Sequence, residues 1–176
     1  DINNNWLVAT RELGSYNSSI TAIRRAEALL AMTAHVEAHD KIEEDIRSRQ
    51  ARSEQIFKRY EATVTTDEER EIVKAIVAAR GRYFDALGKI IAASRSAGSK
   101  RDEVIAVWLG DNRTSFFALL ETIESAVEFQ TQGAEAAQRP FTVGGRSVDQ
   151  YAGHRIAIGG IAGVDPLCDR STGVTA

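Results

Sequence analysis

The chain has 176 residues, 43% hydrophobic and 27% charged, which suffices for one packed domain with an appendage and excludes wholesale disorder. A formal net charge of −3 gives no general electrostatic reason to bind nucleic acid, and the single cysteine, Cys168, excludes an internal disulfide or a cysteine-based zinc site. No run of about 18 apolar residues occurs, so no segment is expected to span a membrane.

The chain opens on Asp1-Ile2-Asn3 without an initiator Met or a signal-peptide pattern, as expected of a segment of a longer protein. Both prolines and seven of the thirteen glycines follow Arg139, so residues 1–138 and 139–176 form two compositional blocks. Four helices are predicted in the first block, at 2–38, 41–63, 66–97 and 100–138. The first carries apolar residues at heptad spacing, from Trp6, Ala9, Leu13 and Tyr16 to Ile20 and Ile23, then Leu30 and Ala34. The second is weaker, with Ile46, Arg49, Ser53, Ile56 and Tyr60. The third gives Val73, Ile76, Arg80, Tyr83, Leu87 and Ile90, and the fourth Ile105, Leu109, Asn112, Phe116, Leu119 and Ile123. Capping patterns precede three of them: Asp40 with Glu43, Thr66 with Glu69, and Ser99 with Asp102. Gly98 is a plausible stop before the last. Connections this short make consecutive helices antiparallel, so the fold class is all-α, an up-down-up-down four-helix bundle with both ends at one pole. The glycine-rich tail, 139–176, is expected to be non-helical, either a loosely packed extension or a non-native segment.

No catalytic constellation is visible, and neither an enzyme nor a cofactor is expected. Gly159-Gly160-x-x-Gly163 lacks the strand-turn-helix setting and the Lys-Ser/Thr of a phosphate loop. His35 and His39 lie four apart, yet no Glu-x-x-His accompanies them, and helix-end histidines beside a negative dipole are the plainer reading.

The seams are more informative, because core positions should be aliphatic. Glu27, Arg49, Ser53, Arg80 and Asn112 interrupt them, with Arg24 beside the first seam and Tyr83 one turn beyond Arg80. At 1.5 Å per residue Arg24, Glu27, Ser53, Arg80, Tyr83 and Asn112 fall roughly 16–25 Å from one pole, within one or two layers. Two explanations remain open. Glu27 and Arg80 neutralise each other, with Asn112 and Ser53 completing the hydrogen bonds and the layer fixing register. Alternatively the layer is a cavity for an anion, with Arg24, Arg25, Arg49 and Arg80 as cations and Tyr83 as a hydroxyl donor. Arg25 points away from its seam, toward solvent or toward a second subunit across a two-fold axis.

The segments Asn5-Trp6-Leu7 through Arg24-Arg25-Ala26-Glu27, Tyr60-Glu61-Ala62-Thr63, Val77-Ala78-Ala79-Arg80-Gly81-Arg82-Tyr83 and Val104-Ile105-Ala106-Val107-Trp108-Leu109 together resemble the sensor domain of bacterial methyl-accepting chemotaxis proteins with a four-helix bundle. The resemblance covers roughly residues 2–138. It implies a periplasmic domain between two transmembrane helices of an inner-membrane protein, binding small molecules such as amino acids or carboxylic acids. The aspartate sensor of that family uses arginines on its first helix, shared across a homodimer, and Arg24 and Arg25 fall in the matching region. Its further arginines are not reproduced, and Val104, Val107 and Trp108 stand where its fourth helix offers polar contacts. The Arg80 and Tyr83 pair is similar to members that hold di- or tricarboxylates inside one bundle. The tail departs from the family, since a second transmembrane helix should follow the fourth helix closely.

The expectation is therefore a chemoreceptor ligand-binding domain for a small carboxylate such as malate, succinate or citrate, acting as a homo-oligomer, most simply a dimer. Arg24, Arg25 and Arg80 would contact the acid, with Tyr83, Arg49, Ser53 and Asn112 as polar support and Trp108 as an apolar wall. Aromatic acids are a variant, with Phe84, Phe116 and Phe117 enlarging the pocket. The alternatives are a structural or partner-binding bundle and the sensor domain of a histidine kinase.

Overall fold

A computed structural model describes residues 2–33, 36–96 and 101–138. The order of elements is α1 (Ile2–Met32), a single 3-10 turn (Val36–Ala38), α2 (His39–Glu61), α3 (Asp67–Arg95), α4 (Arg101–Leu109) and α5 (Asp111–Gln138). The predicted all-α four-helix bundle is borne out, with α4 and α5 together making the fourth member. Trp6, near the start of α1, packs against Phe129 of α5 in a tilted contact at 5.9 Å between ring centroids, so the two ends of the described chain share one pole. A close approach there depends on Gly133, since a Cβ at that position would meet the Trp6 ring at 2.5 Å. The predicted tail, Gly98 and Ser99, and His35 lie outside the described residues.

The heptad residues of the sequence form the core. Leu13, Tyr16, Ile20 and Ile23 of α1 are fully buried, as are Ile76, Tyr83 and Ile90 of α3 and Leu119 and Ile123 of α5. Aromatic pairs bind the helices in twos: Tyr16 of α1 against Phe57 of α2 at 5.0 Å, and Tyr83 of α3 against Phe116 of α5 at 5.6 Å. Helix α2 lies mainly against α1, whereas its seam with α3 is wider and is bridged by long side chains. Arg80 spans that gap to Glu54 at 2.6 Å while lying over the Phe57 ring at 4.8 Å. Arg95 spans it to Glu43, with its Nε 2.8 Å from the carboxylate.

Three boundaries differ from the sequence reading. Helix α1 stops at Met32, and the turn Val36–Ala38 follows separately. The box predicted from Asp40 and Glu43 does not form: the residue before α2 is Ala38, without a side-chain cap, and Glu43 is fully buried on the α3 side, held by Arg47 and Arg95. The Thr66–Glu69 box does form, with Thr66 Oγ1 accepting from the Glu69 N–H at 3.1 Å and the Glu69 carboxylate accepting from the Thr66 N–H at 2.8 Å. Third, the fourth helix is broken at Gly110. The Gly110 N–H reaches the Ala106 carbonyl at 3.0 Å, the Gly110 carbonyl accepts from Thr114 at 3.2 Å, and the helical ladder lapses between them. The break moves the seam by one residue: Val104 is buried in place of Ile105, and Leu109 is exposed.

Candidate functional site

Halfway along the bundle, the interior carries one fully dry carboxylate, Glu27 of α1. A buried carboxylate costs several kcal/mol unless it is hydrogen-bonded and paired. Its Oε1 accepts the Tyr83 hydroxyl from α3, and its Oε2 accepts Arg24 Nη1, one turn earlier on α1, at 3.0 Å. The same Nη1 also donates to Asn112 Oδ1 on α5. Arg24 Nη2 donates to the Trp108 carbonyl at 3.2 Å, a main-chain oxygen beside the break at Gly110. The guanidinium lies 4.3 Å from the Trp108 ring centroid and 5.2 Å from that of Phe116. One arginine on α1 thus ties α1 to both halves of the fourth helix, and one tyrosine ties the same carboxylate to α3.

Burial pushes Glu27 above its ordinary value, against the opposing pull of Tyr83 and Arg24. Burial, reinforced by the facing carboxylate, pushes the Tyr83 phenol far above the usual range. The group therefore holds its proton on Tyr83 at any ordinary pH, and Tyr83 acts as a donor. Two donors nearby lack acceptors: Asn112 Nδ2 and Trp108 Nε1 are buried with no hydrogen-bond partner. Both belong to residues already in contact with Arg24.

The structure separates the sequence-predicted residues into three groups. Arg24, Tyr83, Asn112 and Trp108 come together around Glu27. Arg80 does not pair with Glu27, contrary to the internal-pair reading. It turns to Glu54 of α2 and lies beside the Tyr16 hydroxyl, whose ionisation burial raises to about 12. Ser53 is buried but donates to the Gln50 carbonyl of its own helix at 2.7 Å. Arg49 faces outward on α2, paired with Asp45 at 2.7 Å, and Arg25 is exposed on α1, so neither enters the interior layer. Phe117 is exposed and Phe116 packs against Tyr83, so these rings do not enclose a larger cavity. The sequence reading missed Glu54, whose acidic side chain four positions before Lys58 reads as an ordinary surface residue. It also missed Arg52 and Arg59, which follow Arg49 at helical spacing and line an open groove between α1 and α2.

A four-helix bundle is what the family comparison describes. The sequence matches the model of a four helix bundle sensory module for signal transduction over residues 1–140. The chain belongs to this family. The resemblance to chemotaxis-receptor sensor domains is thereby borne out, and the match defines a signal-transduction sensor module rather than an enzyme family. Comparison with curated proteins returns no match. No helix among the described residues is long and apolar enough to cross a membrane, and no group of three metal-ligating side chains occurs among them.

Proposed function

We propose that this sensory module is the periplasmic ligand-binding domain of an inner-membrane chemoreceptor, and that it recognises a small organic acid, a di- or tricarboxylate such as malate, succinate or citrate. Residues 1–138 form that domain, and 139–176 are an appendage to it. The single observation that carries the ligand class is the pair of acceptor-less buried donors, Asn112 Nδ2 and Trp108 Nε1, flanking the Arg24 guanidinium. Ionised carboxylates only accept hydrogen bonds, so a carboxylate placed there satisfies both donors and shares the charge of Arg24. Amines and neutral sugars bring donors of their own and suit the position less. Arg24 keeps 12% of its side chain exposed, whereas Glu27 is fully buried.

Transmission follows from the same ties. Arg24 links α1 to the Trp108 carbonyl at the break, where the lapsed ladder can absorb a shift of α4 relative to α5. An acid that binds one register of these helices better than the other shifts the population by its differential affinity alone. The module acts as a homodimer through the outer face of α1, where Leu7, Gly14, Thr21, Arg25, Leu29 and Met32 follow one exposed stripe.

The opposing reading, a register-fixing layer without a ligand, has one observation in its favour: Glu27 already neutralises Arg24 in a dry setting. A thermal-shift series decides. An acid at 100 times its Kd should add about 2.7 kcal/mol of stability. Arg24→Ala and Trp108→Phe should abolish that gain. If no di- or tricarboxylate raises Tm, or if both variants respond as the parent does, the layer is structural only.

A further inference from the structure

Outside the interior layer, α1 and α2 enclose an open groove of ≈ 550 Å³. Its origin is a mismatch of side-chain size. Helix α1 offers Ser15, Ser19 and Ala22, and α2 faces them with Arg49, Arg52 and Arg59. The serine hydroxyls donate back to carbonyls of their own helix, Ser15 to Arg11 at 3.0 Å and Ser19 to Tyr16 at 2.7 Å, so they do not fill the space.

The charges in the groove are arranged at its ends. Arg49 and Arg52 lie toward one end and Arg59 toward the other, about 10 Å farther along α2 from Arg52 by helical rise. Between them the lining includes the buried Ile56 and the exposed Gln55. Arg59 holds Glu12 through its Nε at 2.9 Å, and Arg49 holds Asp45 through its Nε at 2.7 Å. In both cases the carboxylate fixes the plane of the guanidinium and leaves its terminal nitrogens without a hydrogen bond among the described residues. Arg52 is exposed and has no ion pair among them.

Cations at both ends and the Ile56 side chain between them complement one kind of molecule. We infer that the α1–α2 groove binds a linear α,ω-dicarboxylate, one carboxylate on Arg49 and Arg52, the other on Arg59, with the methylene chain over Ile56. The groove shares no residue with the Arg24 site, so it is a second site and stands or falls separately.

The test titrates the full chain with suberate, succinate and hexanoate by calorimetry, alongside two-dimensional NMR of the labelled protein. Suberate should bind at least about tenfold tighter than succinate or hexanoate, and more weakly as salt rises. Arg52→Glu, at an exposed position, should weaken suberate by about tenfold or more while leaving the fold intact. In the spectra, suberate should move the Gln55 side-chain amide and the Ser19 backbone amide and leave the Trp108 indole N–H in place. Absence of suberate binding, affinity unchanged in Arg52→Glu, no advantage over hexanoate, or a response confined to the Trp108 indole would each overturn the groove site. A groove response to suberate with a Trp108 indole insensitive to every shorter acid would instead uphold the groove and sink the interior site.

Discussion

Glu27 and Glu69 are both buried carboxylates at the meeting of three helices, and they are held in opposite ways. Burial alone would raise Glu69, but the Thr65 and Thr66 main-chain N–H groups donate to its Oε2 at 2.7 and 2.8 Å, and Gln130 of α5 donates to Oε1 at 3.2 Å. These donors prevail, and Glu69 lies below its ordinary value. Glu27 has side-chain donors only and no main-chain donor, and burial prevails there. The difference teaches that depth does not set the charge state of an interior acid; the supply of fixed donors does. A helix N-terminus comes with orphan N–H groups ready to serve, whereas mid-helix positions have none to spare. Glu69 therefore closes a structural joint, while Glu27 leaves an underserved layer with two donors still open.

The sharpest way to break this comparison is to delete each acid. Glu27→Ala leaves Arg24 and Tyr83 facing each other's polar atoms in a dry core, and a broken buried pair costs about 3–5 kcal/mol, read by urea unfolding. Glu69→Ala removes the capping box and one partner of Gln130, with an expected loss of about 2–3 kcal/mol. If Glu69→Ala proves the costlier of the two, the main-chain donors outweigh the central ion pair and the ranking fails.

Acid titration sharpens the contrast further. Glu69, with its folded value below 4.5, contributes stability that is present above that value and is lost as pH falls through the folded one. Glu27, with its folded value above 4.5, acts in the opposite direction: the folded state holds its proton more tightly, so stability falls as pH rises from 4.5 through the folded value. Unfolding curves of Glu69→Gln and Glu27→Gln against pH should therefore depart from the parent with opposite slopes. Parallel departures would place both acids in the same regime. The smallest effect belongs to Arg49→Ala, which removes a half-exposed surface pair and should change stability by less than about 0.5 kcal/mol in the same assay. A larger loss would mean that Arg49 is part of the packed structure rather than free to receive an anion.

Much of the interior layer was legible from spacing. Counting 1.5 Å per residue from one pole brought Arg24, Glu27, Tyr83 and Asn112 within one or two layers, and they do meet. The choice of partners was not legible. Arg24 and Glu27 sit three apart on one helix, where a local pair is always within reach, so Arg80 was left to find Glu54 across the wide α2–α3 seam. Arg49 followed the heptad count but occupies the outer edge of a helix that packs mainly on α1. The interruption at Gly110 was hidden because an isolated glycine is tolerated in a helical pattern, and the seam on either side of it reads as continuous when counted across the gap.

By itself the sequence determined the helical class, the number of bundle members and the identity of most core residues. Those follow from periodicity, breakers and the Thr66–Glu69 cap, which act over one or two turns. Only the tertiary structure decided which charge meets which, where the fourth helix breaks and which face of α2 is open. Those outcomes depend on the separation and rotation of neighbouring helices, quantities that arise when four surfaces pack at once and that no single helix encodes.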